Sequence, residues 1–65
     1  MRYNIEHTNS ADIRTVAESA GGDVISDVNP VTADGTGIAV IEFPDDQMEY
    51  VDSMLDEADS VIAYR

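Results

Sequence analysis

Lysine, cysteine and tryptophan are all absent from the chain, and its basic side chains are three arginines, Arg2, Arg14 and Arg65. Without cysteine there is no disulfide staple and no thiolate metal site. Without lysine there is no Schiff-base chemistry, and a single histidine, His7, leaves nucleophilic triads short of partners. Binding nucleic acid requires a basic surface that displaces counterions from phosphates, and three scattered arginines do not form one. Anionic membranes are disfavoured for the same reason. No run approaches the ~18 apolar residues of a membrane span. Met1-Arg2-Tyr3-Asn4-Ile5-Glu6 lacks the apolar stretch of a secretory signal, so a soluble cytoplasmic protein is expected.

What is present is acid. Fourteen Asp and Glu give a formal charge of −11 in 65 residues. That charge repels itself and weakens the compact state in dilute salt. At molar salt the Debye length falls to about 3 Å or less, and most of the repulsion is screened. The composition therefore points to a halophile, an archaeon by expectation. A hydrophobic content of 43% with orderly periodicity argues for a fold rather than disorder. A chain this short makes one small domain, residues 1–65, that buries only about 60% of its unfolded surface.

Met1 to His7 alternates, with Tyr3, Ile5 and His7 on one side and Arg2, Asn4 and Glu6 on the other, which predicts a half-buried strand. Thr8-Asn9-Ser10 offers N-cap side chains, and Asp12 falls in the first turn of the helix that follows. Ile13, Val16, Ala17 and Ala20 form one apolar helical stripe, stopped by Gly21-Gly22. Asp23 to Val31 is β-prone, and Pro30 within it predicts an edge strand, because proline cannot donate to a ladder. Ala33-Asp34-Gly35-Thr36-Gly37 predicts a hairpin connection. Gly37 to Phe43 is apolar on both faces and belongs in the middle of a sheet.

Pro44 ends that strand, and Asp45-Asp46, with Glu49 three residues on, predicts a capping box for a second helix. Met48, Val51, Met54, Leu55 and Ala58 make its buried stripe, and Val61 to Tyr64 is a last strand. The order strand, helix, strand, strand, helix, strand is that of an α+β, ferredoxin-like βαββαβ domain. Its four-stranded antiparallel sheet carries two helices on one face.

Little in the chain points to catalysis. His7 closes the first strand and is expected half wet, with no second group converging on it. Asp45, Asp46 and Glu49 read as helix-capping and surface acids, so no metal and no cofactor is expected. Asp34-Gly35-Thr36-Gly37 sits between strands and lacks the helix that would cradle a phosphate. Function is expected on the open face of the sheet. With Tyr3, Ile5, Ala39, Ile41 and Phe43 under the helices, Ile38 and Val40 point the other way. Ile62 and Tyr64 join them if Val61 and Ala63 turn to the core. Such an apolar patch commonly marks an interaction site.

Three stretches, Gly22-Asp23-Val24-Ile25, Asp34-Gly35-Thr36-Gly37-Ile38-Ala39-Val40 and Met54-Leu55-Asp56-Glu57-Ala58-Asp59-Ser60-Val61, resemble subtilase propeptides and the stand-alone inhibitors related to them. The resemblance covers roughly Val16 to Tyr64. It implies a βαββαβ domain that lays its open sheet face on two surface helices of a subtilisin-like protease, as folding chaperone and inhibitor. It makes Ile38, Val40 and Ile62 contact residues. Family members continue into a tail that enters the protease cleft, whereas this sequence ends at Tyr64-Arg65, so docking rather than tight active-site inhibition is expected. The function expected is a non-enzymatic protein-interaction module, with a protein partner or a second copy on Ile38, Val40, Ile62 and Tyr64. The alternative is a homodimeric ligand-binding regulatory domain.

Overall fold

The computed structural model describes residues 1–28 and 35–65. Its elements are β1 (Arg2–His7), α1 (Ser10–Ala20), β2 (Asp23–Val28), β3 (Gly37–Glu42), α2 (Met48–Glu57) and β4 (Val61–Tyr64), with a 3-10 turn over Asp45–Gln47. The strands lie in the order β2-β3-β1-β4, and every neighbouring pair is antiparallel. The chain has the ferredoxin-like α+β fold in βαββαβ order.

Local chemistry sets the bounds of α1. The Asn9 side chain accepts from the backbone N–H of Ala11 at 2.9 Å and of Asp12 at 3.4 Å, satisfying two of the helix's free donors. At the other end Gly21 takes φ 68°, the left-handed region, and Gly22 donates its N–H to the Ala17 carbonyl at 2.7 Å. Gly22 has a different task. A Cβ there would stand 2.8 Å from the Phe43 ring, so the chain turns from α1 into β2 where no side chain fits.

The start of α2 differs from the expected capping box. Asp45–Gln47 winds as a 3-10 turn, Gln47 precedes the helix, and no side chain caps it. Asp45 is engaged elsewhere, accepting from the amino group of Met1 at 3.0 Å. Strand β2 ends at Val28, so Pro30 and Val31 of the expected strand, and Ala33 and Asp34 of the expected hairpin, lie outside the described residues.

Both helices cover one face of the sheet. Ile13, Val16, Ala17 and Ala20 of α1 and Val51 and Leu55 of α2 close over Ile5, Ala39, Ile41 and Phe43, with Tyr3, Met48 and Met54 packed around them. β3, apolar on both faces, is central as its composition requires, and β2 is an edge.

Candidate functional site

The face without helices is laid out in three rows by the strand register. One row runs Asp23, Glu42, Arg2 across β2, β3 and β1. The next runs Ser26, Val40, Asn4 and reaches Arg65, whose backbone exchanges hydrogen bonds with Asn4 at 2.8 and 3.1 Å. The last runs Val28, Ile38, Glu6, Ala63. The face is therefore charged at one end and, Glu6 apart, apolar at the other. Ile38 is 44% and Val28 55% exposed, and Val40 lies half-buried between its neighbours.

Two β-bulges decide which side chains reach this face. The register shifts between Val24 and Ser26, leaving Ile25 as an extra residue of β2, and between Glu6 and His7, leaving Ile62 as an extra residue of β4. An extra residue reverses the alternation beyond it. Val24 pairs with Ile41 of the core side while Val28 pairs with Ile38 of the open side. Periodicity alone puts Val24 and Val28 on one face, and so it missed Val28.

The same device corrects the expectation for Tyr64. Val61 is turned to the core as supposed, but across the bulge so is Tyr64, opposite Ile5. Its ring stacks on Tyr3 with centroids 5.5 Å apart, and its hydroxyl donates to Asp56 of α2 at 2.6 Å. That hydrogen bond, with desolvation and the nearby acids, pushes the Tyr64 pKa up to about 12. Tyr3 donates likewise to Asp52 at 2.7 Å, and its pKa is raised chiefly by that bond. The two tyrosines fasten α2 to the sheet. Of the four residues expected at an interface, Ile38 and Val40 lie on the open face, Ile62 projects at the β4 bulge, 54% exposed, and Tyr64 belongs to the helical side.

Charge is segregated between the layers. The helices and their flanking turns carry nine acids (Asp12, Glu18, Asp45, Asp46, Glu49, Asp52, Asp56, Glu57 and Asp59) against Arg14. The open face carries Glu6, Asp23 and Glu42 against Arg2 and Arg65, close to neutral. The Asp27 side chain is turned inward and only 6% exposed, and Asp34 lies outside the described residues. A shallow pocket of about 220 Å³ opens on this face, lined by Asn4, Glu6, Ile38, Ala63, Tyr64 and Arg65.

His7 is not half wet. It is fully buried on the helical side, and its Nε2 meets Oδ1 of Asp27 at 3.0 Å. The alternation of β1 pointed to this burial, but nothing in the sequence linked His7 to an acid twenty positions away. The ring lies out of reach of any substrate in solution. Among the described residues no group of three or more His, Asp or Glu is placed to hold a metal ion, and no helix is long and apolar enough to cross a membrane. No protein-family model matches the chain, and no curated protein matches it significantly.

Proposed function

We propose that this protein is a small non-enzymatic interaction module that docks a protein partner on its open sheet face, in the manner of subtilase propeptides. The observation that carries this reading is the apolar end of that face. Val28, Ile38, Val40 and Ala63 stand together on a broad surface where, among the described residues, the negative charge is nearly cancelled. With each partner contributing about 200 Å² of apolar surface, burying roughly 400 Å² in all is worth about 10 kcal/mol before the costs of association, which is large for so small a domain. Ile38 and Val40 are the central contacts and Ile62 a peripheral one. Tyr64 acts indirectly, by holding α2 in place. The working environment proposed is the salt-rich cytoplasm of a halophilic archaeon, where the acids of the helical layer are screened.

The pocket supports a second reading, a ligand-binding regulatory domain. Its volume of about 220 Å³ lies below the roughly 300–1,000 Å³ usual for ligand sites. Docking of a protein surface is thus the better fit.

The test is to mix the protein with a subtilisin-like protease inactivated at its nucleophile, in about 3 M KCl so that surface charge is screened, and to weigh the complex by light scattering. A one-to-one complex that Ile38→Asp abolishes is expected. Absence of any complex with the protease overturns the propeptide-like reading.

A further inference from the structure

We infer that in the free protein the open sheet face is covered by a second copy of this chain, sheet against sheet with both helical layers outward, in a weak dimer that a docking partner displaces. The choice of surface rests on the sheet-face reading above; the occupant is argued from charge and size.

Two copies of a molecule with a formal charge of −11 have few ways to meet. Any approach through a helical layer sets nine acids, relieved by Arg14 and by the Met1 amino group at Asp45, against the same array. The open face carries both signs instead, Arg2 and Arg65 with Glu6, Asp23 and Glu42. A face on a two-fold axis meets itself, so it must be self-complementary. A surface of mixed sign with an apolar end satisfies that condition, and one of a single sign does not.

Size fixes the strength. Three strands of six residues and one of four, about 4.8 Å apart, span on the order of 400 Å². Two such faces bury about 800 Å², short of the ~1,200 Å² of a stable specific interface. The dimer is accordingly weak and exchanging, which lets another protein compete for the same side chains. It also strengthens with salt, because screening removes the long-range repulsion between copies and leaves the apolar contact.

The experiment is sedimentation equilibrium of the full chain over a range of concentrations in about 1 M and 3 M KCl, with circular dichroism to follow folding. A monomer–dimer equilibrium tighter at the higher salt is expected. Ile38→Asp and Val28→Asp weaken it at least about tenfold, whereas Tyr50→Asp, on exposed α2, leaves it unchanged. A measurement without substitution guards against variants that fail to fold. In a mixed sample of labelled and unlabelled protein, intermolecular nuclear Overhauser effects appear at the methyl groups of Ile38, Val40 and Val28.

A protein monomeric at every concentration up to about 1 mM overturns the proposal. So does a dimer that Tyr50→Asp disrupts, or one whose intermolecular effects fall on the helices. The protease titration separates the two ideas. A monomer that still captures the protease removes the dimer and keeps the docking face, and a sheet-face dimer indifferent to the protease does the reverse.

Discussion

His7 of β1 and Asp27 of β2 meet across the full width of β3, with Nε2 and Oδ1 3.0 Å apart beneath the helices. The β3 residues between them are Gly37 and Ala39, register partners of His7 and Asp27 respectively and the two smallest residues of that strand. Asp27 has a further role. Asp23, Val24, Ile25, Ser26 and Val28 are all exposed, and the Asp27 side chain is only 6% exposed. Among the described residues, the His7–Asp27 pair is the polar side-chain contact that ties edge strand β2 to the core.

Removing either member leaves the other buried without its partner, so His7→Leu or Asp27→Leu alone costs about 1–3 kcal/mol. The double variant restores much of the loss, because two apolar groups satisfy each other where one polar orphan does not. Denaturant unfolding in high salt measures the cycle. Amide exchange adds a local test: in Asp27→Leu the β2 amides lose protection before those of β1 and β3. Uniform protection across the sheet would show that β2 is held by its ladder alone.

Gly21 and Gly22 fail for different reasons. Gly21→Ala must hold a Cβ in the left-handed region, at roughly 1–2 kcal/mol, and touches nothing else within 4 Å. Gly22→Ala drives its methyl to 2.8 Å from Phe43 and 3.1 Å from Ile41, an overpacking worth about 1–3 kcal/mol. Phe43→Leu shortens the clashing ring and so rescues Gly22→Ala but not Gly21→Ala. Melting temperatures of the two double variants decide it.

Alkaline stability tests the Tyr64–Asp56 bond. The tyrosine pKa rises from an ordinary 10 to about 12 in the fold, so the fold favours the neutral phenol. The contribution is fully present below pH 10 and is lost as pH rises through 12. Tyr64→Phe removes it, giving a less stable protein whose stability falls less steeply between pH 10 and 12. Parallel curves for the two proteins across that window would mean the phenol does not hold Asp56 in solution.

Salt acts mainly on the helical layer, where nine acids face one arginine. The melting temperature rises steeply between about 0.1 and 3 M KCl as the Debye length shrinks from about 10 Å to below 3 Å. Replacing Asp46, Glu49 and Glu57 by Gln flattens that dependence, since it removes three carboxylates from the acidic layer. EDTA at constant ionic strength leaves it unchanged. A salt-independent melting temperature would remove the argument for a halophilic setting.

Much of the fold was legible in local pattern. The stripes Ile13-Val16-Ala17-Ala20 and Met48-Val51-Met54-Leu55 repeat at the helical period. Gly21-Gly22 stops the first helix, and a strand apolar on both faces, Gly37–Glu42, has to be central. These features depend on neighbours within one or two turns of chain. They also placed Ile38 and Val40 on the open face.

What tertiary structure alone decided involved partners far apart in sequence or a break in period. The bulges at Ile25 and Ile62 form only against β3 and β1, and they carried Val28 out to the open face and Tyr64 in beneath α2. Asp45 left its expected cap for an amino group 44 positions away, and His7 found Asp27 across β3 at Gly37 and Ala39. The separation of charge into an acidic helical layer and a near-neutral sheet face likewise exists only once the strands are in register, because alternate residues of one strand belong to opposite layers.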